Sequence, residues 1–224
     1  MTSTLASNRV PGAVGGLLAG LGFFGGIAAA KATEKSEYPR PGSDPETVRK
    51  YFTESATSAR MSVAGLAVST WGLAKFTGAV ARLSGRSGRG GWALRTAAVA
   101  GGTFAVATQA VSALATAANT SPDNHPQTTA DLRQVSYMVG GPVHGVGFGL
   151  LSGALGIAAL RTGALPKPLA AASLVAAPIG ILGPLALLKK EAMMALPIGH
   201  MLSLLVSGAA GVQLARGVAK EVAA

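Results

Sequence analysis

Residues 135–160 read VSYMVGGPVHGVGFGLLSGALGIAAL, 26 positions without a charge between Arg133 and Arg161. As a helix rising about 1.5 Å per residue, such a run exceeds the roughly 30 Å of hydrocarbon in a bilayer, so it spans with tilt or with an interfacial first turn. Five more runs of the same kind surround it, at approximately 10–30, 61–81, 96–118, 169–188 and 192–215. The fold expected is all-α, a polytopic membrane protein formed as a bundle of about six transmembrane helices in a lipid bilayer.

Composition agrees with this reading. Charged residues make up 12% of the 224 positions and mean hydropathy is +0.43, whereas a soluble domain carries about 25% charge. The first run, Val10–Ala30, is longer than the apolar core of a signal peptide and is read as a retained helix. The net charge of +10 comes from basic residues set between apolar runs, where membrane orientation accounts for them; no nucleic-acid partner is expected. The chain has no cysteine, which excludes disulfides, thiolate nucleophiles and thiolate metal sites.

The one polar segment of any size is 31–58, with five acidic and five basic residues. Within it Ser43, Asp44, Pro45 and Glu46 form a helix-start signature with Ser43 as the cap, and a short helix is expected to run on through Val48, Tyr51 and Phe52. Residues 119–133 are expected to be a loop. Arg82, Arg86, Arg89 and Arg95 form the densest basic cluster, so that side, with both termini, is expected to be cytoplasmic.

Association of helices in lipid depends on close backbone approach, which small residues at four-residue spacing allow. Gly141, Gly145, Gly149 and Gly153 make one such ribbon in the fourth span. Gly199, Ser203, Ser207 and Gly211 make another in the sixth, continued by Ala215. The first span adds Gly16 with Gly20, and Gly22 with Gly26. The ribbons are expected to serve ordinary packing within the bundle; the alternative is that the two long ones pack on each other, within one chain or between copies, which would make a homo-oligomer or engage a membrane partner.

Polar side chains within a span are costly and mark candidate sites. Four qualify: Lys75, Gln109, His144 and His200. Lys75 is close enough to Arg82 for its amine to snorkel to the interface. His144 and His200 lie eight or nine residues into parallel spans, flank the glycine ribbons on the same side, and each follows a proline, Pro142 or Pro197. The pair is read first as packing, each imidazole bonding a helix carbonyl; as a site it suits a solute or proton path and, less readily, the two axial positions of a haem or two ligands of a metal. No acidic residue lies within any span, no phosphate loop or His-Glu-x-x-His motif occurs, and SGRSGRGG at 84–91 lacks the ending of a phosphate loop. No catalytic residue, metal site or cofactor is expected.

The stretch 153–188, GALGIAALRTGALPKPLAAASLVAAPIGILGPLALL, resembles a helix–turn–helix of uncharacterised multi-pass membrane proteins of high-GC bacteria, with LRTGALP (160–166) at the turn. The resemblance implies a bacterial plasma membrane and carries over no activity. The function expected first is a small membrane scaffold or interaction subunit, ahead of a small-solute or proton-coupled transporter using His144, His200 and Gln109, and of a haem-binding redox membrane protein.

Overall fold

The computed structural model describes residues 10–40, 42–187 and 195–217. Among them are eight α-helices: α1 (Gly15–Ala32), α2 (Pro45–Glu54), α3 (Ala56–Gly85), α4 (Gly91–Ala118), α5 (Pro126–Met138), α6 (His144–Thr162), α7 (Lys167–Ile181) and α8 (Ala195–Arg216). The protein is an all-α polytopic membrane bundle. Helices α1, α3, α4 and α8, and the continuous 37-residue unit Pro126–Thr162, are long and apolar enough to cross a bilayer.

The fifth expected span differs from the rest. Helix α7 has 15 residues and gives way at Leu182 to a 3₁₀ turn, Gly183–Leu187. Gly183 precedes Pro184, and a residue before proline is pushed out of the α region. The helix is therefore about 22 Å long, short of the hydrocarbon thickness. The punctuating triplet Lys189, Lys190, Glu191 and the expected start of the sixth span at Ala192 lie outside the described residues.

Two boundaries also move. Asp44, rather than Ser43, caps α2: its carboxylate accepts from the Thr47 N–H at 2.9 Å and from the Thr47 hydroxyl at 2.6 Å. Those bonds hold the Asp44 carboxyl below the usual carboxylate range, the hydroxyl contributing most. The expected loop 119–133 becomes helical from Pro126, with His125 as cap. Proline at a first helical position has no N–H to leave unsatisfied, so Pro126 is a helix start rather than a loop marker.

Between α5 and α6 the chain passes through a π-helical turn, Val139–Val143. Pro142 sits inside it. A proline ring clashes with the carbonyl four residues back and cannot donate to it, and widening the turn relieves both problems.

The spanning helices and the shorter α7 close a ring in which each touches the next, in the order α1, α3, α4, α6, α7, α8 and back to α1. At one end lie the arginine loop, the turn at Gly163 and the ends of α1 and α8. Val10 N–H bonds Leu214 O at 3.1 Å, Arg82 donates to Pro11 O, and Arg161 donates to Arg89 O at 3.0 Å. At the other end α2 packs on α5, and Arg133 donates to Pro39 O, tying the polar segment down.

Inside the ring α6 touches α3 and α8. Leu73, Phe76 and Val80 of α3 and Phe148, Leu151 and Leu155 of α6 are buried there.

Candidate intramembrane site

His144 stands where the π turn meets α6, and His200 lies on α8. Their ring centroids are 5.1 Å apart with the planes inclined by 56°. Phe148 is 5.4 Å from His144 and 6.0 Å from His200, and Phe23 of α1 is 4.7 Å from His200. The structure thus brings together two imidazoles and two phenyl rings drawn from three helices.

His144 is anchored. Its Nδ1 lies 2.9 Å from Ala105 O and 3.3 Å from the Thr108 hydroxyl. A carbonyl can only accept, so Nδ1 carries the proton and Nε2 keeps its lone pair. The Thr108 hydroxyl donates to Phe104 O and Ala105 O, at 2.9 and 3.0 Å. His200 is not anchored in this way: its Nε2 is buried and has no hydrogen-bond partner among the described residues. An imidazole nitrogen left so costs free energy unless something bonds it.

His200 lines a chamber of about 370 Å³ together with Phe23, Phe148, Tyr137, Ser203 and the glycines of the π turn. A second cavity of about 430 Å³ adjoins it, sharing Phe23 and Gly140 as walls. This vestibule lies toward the polar segment, with Lys31, Glu34 and Tyr51 at its mouth and hydroxyls further in. Lys31 pairs with Glu34. The Tyr51 hydroxyl stands 3.1 Å from that of Ser58, and burial pushes it above the usual tyrosine range, against the lowering effect of that contact.

Deeper in the vestibule, Ser112 and Thr116 of α4 meet Ser136 of α5, with hydroxyl separations of 2.9 and 2.8 Å. Helix spacing explains the α4 contribution: Thr108, Ser112 and Thr116 recur every four residues and share one face. That stripe was readable within the charge-free run 96–118, as was the pair Ser58 and Ser62 on α3. Phe23 carries no such signal, because an apolar residue in an apolar span does not announce a wall.

The other expected site residues go elsewhere. The Gln109 amide donates to Ser69 Oγ at 2.9 Å in the α3–α4 contact and is not among the residues lining either cavity. Neighbouring Thr108, about 100° around the helix, is the one that faces His144. Lys75 is exposed, with its amine 5.5 Å from the centre of the Trp71 ring.

The two glycine ribbons do not pack on each other. A Cβ at Gly145 would meet Gly180 O at 3.1 Å and one at Gly149 would meet Ala177 O at 2.6 Å, both on α7, and Gly153 faces Ala177 as well. On α8, Gly199 faces Ile179 of α7. Gly211 faces Ala13 and Leu17 of α1, and the Ser207 backbone lies against Gly16. Helices joined by short turns become ring neighbours, so α7 comes between the partners that spacing alone would pair. Ser203 lines the chamber. Gly141 has nothing within 4 Å of where a Cβ would stand, so it is an open wall rather than a packing contact.

No family model, no curated protein and no solved structure matches the chain. The reading of the site therefore rests on its own geometry. Among the described residues no cluster of three or more His, Asp or Glu is placed to hold a metal ion. Two iron–nitrogen bonds of about 2 Å, with each ring centre about 1 Å beyond its nitrogen, would set the centroids about 6 Å apart; at 5.1 Å the rings as they stand are too close for a macrocycle between them.

Proposed function

We propose that the protein is a membrane carrier for a small solute, taken in on the side of the 31–58 segment and held beside the His144–His200 pair. The observation that carries this reading is the shared wall. Phe23 and Gly140 border both cavities, so a hydroxyl-lined vestibule leads to an inner chamber where His200 Nε2 has no hydrogen-bond partner among the described residues. A pocket of several hundred Å³ with apolar walls and a few polar groups is the usual form of a small-molecule site.

Nothing comparable favours a scaffold or a homo-oligomer built on the glycine ribbons, because Gly145, Gly149 and Gly211 are occupied by contacts within the chain. The arginine-rich end is assigned to the cytoplasm of a bacterial plasma membrane. That assignment rests on the density of the 82–95 cluster and on the resemblance of 153–188.

Because the chain lacks cysteine, single cysteines test the proposal directly. Ser203→Cys, in the chamber, is expected to react with a small methanethiosulfonate reagent added on the side of the 31–58 segment. Ser207→Cys, one turn further along α8, lines neither cavity and lies where the α8 backbone meets Gly16, and is expected to resist it. Equal resistance at both positions would remove the carrier reading.

A further inference from the structure

The walls of the chamber narrow the kind of molecule it takes. One side is the π turn, where Gly140, Gly141 and Pro142 follow one another and leave nearly bare backbone. The same chamber is lined by the rings of Phe23 and Phe148, which lie 4.7 and 6.0 Å from that of His200. A chamber lined by aromatic rings and by glycine backbone suits a flat ligand, which stacks on the rings.

Size sets a second limit. A cavity of about 150 Å³ already takes benzene, and the chamber holds about 370 Å³. There is room for a substituted ring or for two fused rings.

Tyr137 and Ser203 add hydroxyls to the wall, and one buried polar atom among the lining side chains stands without a partner. His200 Nε2 is buried without a partner. In one tautomer of a neutral imidazole that nitrogen donates, in the other it accepts. A phenolic hydroxyl both donates and accepts, so it satisfies either form, whereas a carbonyl satisfies only one.

We infer that the chamber binds a hydroxylated aromatic molecule of one or two fused rings, stacked on the aromatic cluster with its hydroxyl at His200. The inference rests on the carrier reading of the chamber and adds to it the class of solute. Gly141 supplies a variant that fills the site without disturbing its surroundings, since a Cβ there meets nothing within 4 Å.

The test uses the full chain in lipid nanodiscs and the fluorescence of 2-naphthol, with naphthalene as the ring lacking a hydroxyl and empty nanodiscs as the partition control. Saturable 2-naphthol binding is expected, about tenfold tighter than naphthalene, the worth of one buried hydrogen bond. Gly141→Leu should abolish it, and His200→Phe should reduce it to the naphthalene level. Uptake equal to empty discs, equal affinity for naphthalene, or binding unchanged in Gly141→Leu would overturn the inference.

Should Gly141→Leu fail to fold, saturating 2-naphthol is expected to protect a Ser203→Cys thiol from the methanethiosulfonate reagent. A thiol that reacts but is not protected removes the phenol class and leaves the carrier reading standing. A thiol that never reacts removes both.

Discussion

Toward the arginine loop the ring of helices is filled: Leu73, Phe76, Val80, Leu151, Leu155, Ala158 and Leu214 are at most 3% exposed. Toward the 31–58 segment the same ring encloses two adjoining cavities of about 430 and 370 Å³. The difference follows from where backbone irregularity falls. At the filled end the helices are regular, and their glycines press on neighbouring backbone, as Gly15 does on Gly72 and Gly101 on Gly147. At the hollow end a proline widens one helix into a π turn and a Gly-Pro step cuts α7 short. One ribbon thus yields two outcomes: Gly149, in the regular helix, closes on Ala177, while Gly141, in the π turn, faces open space.

Substitutions at the filled end are expected to have the largest effects. Gly15→Leu would drive a side chain into the α3 backbone at Gly72, Lys75 and Phe76. The expected outcome is loss of monodisperse, helical protein on size exclusion, since overpacking against backbone costs about 3 kcal/mol or more. Phe76→Ala leaves a void where exposure is 0%; a fall of about 3 kcal/mol in unfolding free energy is expected, read by denaturant titration.

A sharper comparison uses one ribbon. Gly149→Leu should destabilise strongly, because Ala177 O and Ile181 N are in the way. Gly141→Leu should leave the thermal midpoint nearly unchanged, since no atom lies within 4 Å and leaving glycine in a helix gains up to about 1 kcal/mol. Similar losses at both positions would break the distinction between closed and open walls.

The smallest effect is expected at the hollow end's outer edge. The depressed Asp44 carboxyl stabilises α2 fully above its unfolded pKa of about 3.9, and that stabilisation is lost as pH falls through the lower folded value. Hydrogen exchange in Pro45–Glu54 should therefore quicken only in acid, and Asp44→Asn should remove that acid dependence. A transition near neutral pH would contradict the assignment.

Much of the fold was legible in the sequence because membrane spans announce themselves by length and absence of charge. The depth argument for His144 and His200 was legible for the same reason: parallel spans of known starting point fix how far in each residue lies. The ribbon pairing was not legible. Small residues every four positions say that a helix can be approached closely, not which neighbour approaches, and ring closure gave both ribbons to α7 and α1. The length of α7 depended on a local Gly-Pro step outweighed in the reading by its apolar surroundings. Gln109 differs from Thr108 by one position and 100° of helix, which no count of polar residues resolves without knowing which face looks inward.

The contrast between the two ends can be read along one helix. Ser136 lines the vestibule, and Ser152 is 2% exposed in the filled end, both within the continuous unit Pro126–Thr162. With single cysteines at each position in membranes, a small thiol reagent should modify Ser136→Cys faster by an order of magnitude or more, on the order set by access. Equal rates at the two positions would contradict a bundle hollow at one end and solid at the other.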